Sequence, residues 1–150
     1  MTDQEVRQAI KETIAETQVT AVVWPYNALS HELSEWPGKF RCEDGKTHGW
    51  IIKRASIESS WKNASRDRQT WVYDIWGFYG FRDESEDDNS DNEWAVIIDA
   101  VTASLKNKPT LELEEVEKHQ LLQVEANTTI DTGEGTLHFA RCRLRVMLCC

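Results

Sequence analysis

Three arginines near the end of the chain form the most distinctive chemical pattern in the sequence. Arg141, Arg143 and Arg145 occupy alternate positions, so a strand through them would place all three guanidinium groups on one face. This row has two interpretations: a solvated strand face that pairs with carboxylates such as Glu125, or a docking strip for an acidic surface. In a docking strip, directional arginine–carboxylate contacts would fix the register between two molecules.

Asp74 is the carboxylate with the least ordinary surroundings, because it lies inside a run of aromatic and aliphatic residues. Buried acids can serve as general acids in catalysis, but the spacing fixes no histidine or second acid beside this one. We therefore expect a structural partner, such as an arginine on the next strand. The sequence also lacks a phosphate-binding loop, a dinucleotide fingerprint and a serine-hydrolase elbow. We predict no catalytic residue and no enzyme.

The histidines and cysteines lack the spacing of metal ligands, since no HxxxH, HExxH or CxxC pattern occurs. We predict no metal site and no cofactor, surface or part-buried histidines, and reduced thiols. These residues are His31, His48, His119, His138, Cys42, Cys142, Cys149 and Cys150.

Negative charge is concentrated in one segment. The chain has 26 acidic and 17 basic residues and a formal net charge of −9, and Asp83–Glu93 contains acids but no base. This balance disfavours general nucleic-acid binding and a phosphate-binding role for the arginines, because nucleic acid requires a basic surface. Five acids of this segment are candidate docking residues: Asp83, Glu84, Glu86, Asp87 and Asp88.

Two amphipathic helices are predicted. Thr2 and Glu5 have capping-box spacing, and apolar residues recur at helical intervals through Asp3–Thr17. A second helix follows the acidic segment, capped by Ser90 or Asp91, and its apolar stripe ends before Asn107.

Strands occupy most of the remaining chain, separated by an irregular excursion and a polar loop. Thr110–Gln120 is ambiguous between a short strand or loop and a helix. The predicted strands are Val19–Trp24, Trp50–Ile57, Thr70–Phe81, Leu121–Thr128 and Leu137–Leu148; the excursion is Tyr26–Lys46 and the loop Lys62–Arg68. We predict one domain over residues 1–150: an α+β fold with a mostly antiparallel sheet of four to five strands and two main helices on one face.

The strand Thr70–Phe81 is apolar on both faces, so it must be covered on both. We expect the helices to cover one face and a neighbouring subunit the other. Seven tryptophans are many for a domain of this size, and tryptophan is enriched at interface centres. Trp71 and Trp76 are therefore candidate interface residues, with a core position as the alternative. No apolar run approaches the roughly 18 residues of a membrane span, and the polar beginning predicts no signal peptide.

The order of these elements resembles the tail-terminator, or tail-completion, proteins of long-tailed bacteriophages. The resemblance covers nearly the whole chain. It rests on the opening helix, the aromatic strand with Trp71–Ile75, the second helix with Glu93–Val101, and two long closing strands that end in Cys142–Leu148.

The resemblance implies a non-catalytic protein that forms a six-fold ring at the head-proximal end of the tail tube, within the virion and after assembly in the host cytoplasm. Its partners would be its own copies, the tail tube protein, the head connector, and DNA that passes without sequence-specific binding. The acidic segment and the arginine row are candidate contact patches of such a ring, and the acids are also candidates for its lining. Two other function classes remain: a ferredoxin-like regulatory domain that binds a small molecule, and an enzyme anchored on Asp74.

Overall fold

The protein is described by a computed structural model, which covers residues 2–29, 32–43, 45–63, 66–80, 90–114, 116–133 and 135–148; for 59–63, 66–68, 118, 120–123 and 126–127 only the backbone is described. The helices are α1 (Asp3–Thr17), α2 (Trp36–Lys39, after a 3-10 turn at Leu33–Glu35) and α3 (Ser90–Lys106). The strands are β1 (Val22–Trp24), β2 (His48–Asn63), β3 (Arg66–Gly80), β4 (Val116–Asp131) and β5 (Thr136–Leu148).

The described strands form one mixed sheet in the order β1-β2-β3-β5-β4. β1 pairs in parallel with β2, whereas β2–β3, β3–β5 and β4–β5 are antiparallel. The predicted α+β class is confirmed. β3 lies in the middle of the sheet, and different elements pack against its two faces.

Helix α1 forms as predicted. The Thr2 hydroxyl accepts a hydrogen bond from the Glu5 amide at 3.2 Å, and the Glu5 carboxylate accepts one from the Thr2 amide at 2.7 Å. These bonds satisfy donors that would otherwise be unpaired at the helix start. The phenol of Tyr73 on β3 donates to Asp3 Oδ1 at 2.7 Å and ties this end of α1 to the sheet. Burial, followed by that hydrogen bond, raises the pKa of Tyr73 far above its ordinary value.

The main core lies between the sheet and the helices α1 and α3. Both helices bury their apolar stripe here, and the inward side chains of β2, β3 and β5 fill the space between. The largest fully buried members are Trp50, Trp94, Tyr73, Ile10, Ile14, Ile52, Ile75, Leu105 and Leu144. The helices therefore cover one face of β3, as expected.

A second, smaller core covers one end of the opposite face. Phe40, just after α2, stacks on Phe78 with ring centroids 4.8 Å apart, and Trp36 meets Phe78 edge-on at 5.7 Å. Phe40 and Phe78 are both fully buried. The expectation that a neighbouring subunit covers this side of β3 is therefore wrong at this end, because the excursion folds back over the sheet.

The strands β2, β3 and β4 are several residues longer than predicted, and β1 is shorter. The polar stretch predicted as the loop Lys62–Arg68 continues the β2–β3 ladder, with Ser60 opposite Arg68 and Asn63 opposite Arg66. Backbone hydrogen bonds hold two strands together whatever their side chains are, so the polar composition of this stretch did not indicate where the strands end. β1 retains only Val22–Trp24 of its predicted span.

The ambiguous region after α3 resolves into turns followed by a strand that begins at Val116. Leu111 and Glu112 both have positive φ, 53° and 58°, which ends any helix through this segment.

Two histidines are more deeply buried than expected. His48 and His138 are 6% and 4% exposed and lie beneath the start of α3. Trp50 Nε1 donates to His48 Nε2 at 3.0 Å, and Ser90 Oγ lies 2.8 Å from His138 Nε2. A polar ring can be buried when its nitrogens have partners, and the sequence does not reveal those partners.

The thiols of Cys42 and Cys142 are buried and form no disulfide within the described residues, and burial raises the pKa of Cys142 to about 11. His31, Cys149 and Cys150 lie outside the described residues. Within the described chain, no helix is long and apolar enough to cross a membrane.

Gly77 gives a direct test of the packing of the main core. An added Cβ would lie 2.5 Å from the Trp50 ring, and Trp50 is fully buried and cannot move aside. We expect Gly77→Ala to lower the free energy of unfolding by roughly 1–3 kcal/mol in urea titrations, as overpacking does. Gly38→Ala is the matched control, because nothing lies within 4 Å of its added Cβ. Equal stability of the two variants would contradict this packing.

His119 on β4 predicts an acid-dependent loss of stability. Burial lowers its pKa in the folded state, against the opposing effect of its hydrogen bond to the Lys108 carbonyl. The unfolded chain therefore binds this proton more readily, and stability falls as the pH drops through about 6.5. Urea titrations one unit above and below that pH should show a smaller loss for His119→Gln than for the unaltered chain. Parallel losses in the two proteins would refute the assignment.

Candidate interaction surface

The outer face of the sheet is the side opposite α1 and α3, and it carries the arginine row. We use that name for Arg141, Arg143 and Arg145, which project from alternate positions of β5 as predicted. Their side chains are 35%, 41% and 33% exposed. The excursion covers the Phe78 end of this face, whereas the arginine row lies on the part that it leaves open.

Each arginine of the row pairs with one carboxylate. Arg141 Nη2 lies 3.1 Å from Glu125 Oε1 on β4. Arg143 Nε lies 3.1 Å from Asp74 Oδ1 on β3, and Arg145 Nη2 lies 3.1 Å from Glu58 Oε2 on β2. The structure matches the expectation that the row pairs with carboxylates such as Glu125, and the predicted arginine partner of Asp74 is confirmed.

Strand register explains how these pairs form. Arg141 faces Glu125 directly across the β4–β5 ladder, and Arg143 faces Asp74 across β3–β5. Glu58 is two strands away from β5, so its bond to Arg145 spans β3. A bulge between Arg54 and Ser56 shifts the alternation of β2 and brings Glu58 to the outer face.

The Glu58–Arg145 pair gives this face a cover of long polar side chains. Val72 lies directly opposite Arg145, and Thr70 lies directly opposite Glu58. Val72 and Thr70 are only 4% and 7% exposed, although neither belongs to a hydrophobic cluster. The aliphatic stems of charged side chains cover apolar surface in this way while their charged ends stay in water.

Trp76 is the aromatic centre of the outer face. The Lys53 ammonium lies 4.0 Å from the centre of the Trp76 ring, a cation–π contact, and Phe139 meets that ring edge-on at 5.7 Å. Trp76 is partly buried and lies directly opposite Arg141. It therefore remains a candidate for a contact with a partner.

Trp71 lies in the main core, on the helix-facing side of β3. It is 8% exposed, and the Arg54 guanidinium lies 5.3 Å from its ring centre. This position matches the core alternative rather than the interface interpretation, because its ring is already covered within one chain. The alternation of Trp71 with Tyr73 and Ile75 in the sequence already placed the three side chains on one strand face. In the structure, Tyr73 and Ile75 are fully buried on that face.

The guanidinium groups keep hydrogen-bond donors that their carboxylates do not use. Among the described residues, Arg143 bonds through Nε alone, and Arg141 and Arg145 each bond through Nη2 alone. Arg145 Nε has no partner in the described part of the chain, but it is buried and therefore not available to a second molecule. An arginine has five N–H donors, so the row can accept further anionic groups about 6.6–7 Å apart, the repeat of alternate strand residues.

The opposite surface of the molecule is acidic. The outward faces of α1 and α3 carry more acids than bases, and the exposed acids are Glu5, Glu12, Glu16, Asp91, Glu93 and Asp99. Cations of the row and acids of the helix layer thus lie on opposite sides of the sheet. The predicted acidic patch, Asp83, Glu84, Glu86, Asp87 and Asp88, lies outside the described residues, so its placement stays a prediction.

No group of three or more potential metal-ligating side chains converges within the described ranges. Comparison of the chain with models of known protein families and with curated proteins finds no match.

The Asp74–Arg143 pair is expected to contribute more to stability than its neighbours. The Asp74 side chain is 9% exposed, whereas Glu125 is 43% exposed. Asp74→Asn weakens a charge-assisted bond at a buried position, and we expect it to cost about 1–3 kcal/mol of unfolding free energy. Glu125→Gln, the matched control, should cost less than about 1 kcal/mol. Chemical denaturation would contradict this ranking if Glu125→Gln were the more damaging change.

Proposed function

We propose that this chain is a non-catalytic structural protein that assembles with copies of itself through head-to-tail contacts. The supporting observation is the open outer face, where a row of half-exposed arginines retains unused donors while the helix layer on the opposite side is acidic. Complementary patches on opposite sides of one subunit are what head-to-tail association requires, and such contacts close into a ring after a fixed rotation.

Within that class, we propose a tail terminator of a long-tailed bacteriophage. The support is the resemblance in element order, together with a mostly antiparallel sheet that carries two main helices on one face. The protein would form a ring of six copies at the head-proximal end of the tail tube. It would stop tube polymerisation and join the tail to the head connector in the virion.

The proposed ring admits DNA without binding it specifically. The formal charge of −9 disfavours adhesion to the phosphate backbone. Asp83–Asp88 would serve as a subunit contact or as part of the channel lining. The ion pair between Asp74 and Arg143 favours a structural role for this carboxylate over a catalytic one.

A small-molecule regulatory domain is the second candidate, and the grooves give it less support. A groove of about 700 Å³ lies between α1 and the turn at Leu111–Leu113. It falls in the size range of ligand sites, but glutamates and glutamines dominate its lining, and no tryptophan lines it. A pocket lined by tryptophan was the feature expected of this alternative.

Light scattering after size-exclusion chromatography, combined with electron microscopy, tests the proposed function. We expect a closed oligomer, or rings that cap one end of purified tail tubes when the tube protein is present. Electrostatic contacts weaken as salt screens them, so the oligomer should dissociate as the ionic strength rises. A strictly monomeric chain at every ionic strength, with no binding to tube ends, would refute the assembly role.

A further inference from the structure

The exposed face of α3 presents a surface that complements the outer sheet face. Val96 lies outside the buried apolar stripe of this helix and is 69% exposed. Asp99 lies one turn further on, about 4.5 Å along the helix axis, and is also exposed. This face of α3 therefore combines an exposed apolar side chain, Val96, with an exposed carboxylate, Asp99.

The outer sheet face has the same two features with the opposite charge. Trp76 and Phe139 form its partly buried apolar centre, and Arg141 is the strand neighbour of Trp76. Arg141 retains donors beyond its contact with Glu125. Arginine and aromatic residues together are typical of the centre of a protein interface.

We propose that the outer sheet face of one copy docks the α3 face of a second copy, with Val96 against Trp76 and Asp99 against Arg141. This inference rests on the proposed function and names the contact through which the assembly forms. The two surfaces lie on opposite sides of the sheet, so one copy cannot satisfy both by itself. The contact is heterologous and leaves one free patch at each end until a ring closes.

A second copy suits this surface better than nucleic acid does. Three carboxylates already lie among the cations of the face, and the chain as a whole is strongly negative. The closely spaced phosphates of a nucleic acid would be repelled by those carboxylates along the whole strand. Isolated acids on a helix can instead bond to the arginine donors that the carboxylates leave unused. Nucleic acid is therefore the competing occupant that the experiment must distinguish.

Charge reversal on each side of the proposed contact tests it. Arg141→Glu places a carboxylate on the sheet face, and Asp99→Arg places a cation on α3. Both positions are at least partly exposed, so the variants should fold, which circular dichroism and thermal unfolding would verify. Sedimentation velocity should show assembly weakened at least about tenfold in each single variant, the effect of 1.4 kcal/mol per contact.

The combinations distinguish this contact from a general charge effect. The double variant restores an opposite-charge pair at every contact, so it should assemble again. An equimolar mixture of the two single variants should also assemble, with the variants in alternation, because each contact between unlike variants pairs opposite charges and each contact between like variants repels. Lys39→Glu and Glu43→Arg make the same charge changes at exposed positions that are not residues of the proposed contact, and they should assemble normally.

Three results would overturn the inference, and they separate it from the proposed function. If the unaltered chain assembles and the single variants assemble equally well, the contact is wrong although the assembly role stands. If the unaltered chain never assembles, both proposals fail. If a labelled single-stranded oligonucleotide binds the unaltered chain and Arg141→Glu abolishes that binding while leaving assembly intact, the surface belongs to nucleic acid instead.

Discussion

The central strand β3 must be covered on both faces, because apolar side chains occupy alternate and intervening positions alike. α1 and α3 cover one face with the main core. The segment around α2 covers one end of the other face through Phe40 and Trp36. Beyond that end no apolar layer remains among the described residues, and charged side chains with long aliphatic stems take its place. The open outer face is a direct consequence of this division.

The ion pairs of the outer face contribute more to orienting the arginines for a partner than to the stability of the fold. Half-exposed pairs contribute at most about 1 kcal/mol each, and only Asp74 is buried enough to matter more. The carboxylates nevertheless hold the arginines in fixed directions, which lowers the entropy lost when a partner binds. A row oriented in advance, with donors that its carboxylates do not use, suits a contact that must repeat in the same register in every copy.

Much of this arrangement follows from local sequence patterns. The α1 cap and the alternation along β3 and β5 arise from spacing within single elements, and the apolar surroundings of Asp74 predicted an arginine partner without identifying Arg143. The sequence could not place Glu58 on the outer face, because the bulge after Arg54 reverses the alternation of β2. Nor could it show that Phe40 returns to cover Phe78, since that contact joins residues far apart in the chain. Contacts between residues far apart in the chain, and bulges within strands, depend on how the whole molecule packs.

Chemical modification of arginines, read out by mass spectrometry, tests most directly whether the outer face is an assembly surface. The same preparation would be compared when dilute and when concentrated enough to assemble. The account predicts that Arg141 and Arg143 react in the dilute chain and become protected on assembly, while the exposed Arg41 reacts equally in both states. Undiminished reactivity of the arginine row in the assembled protein would contradict it.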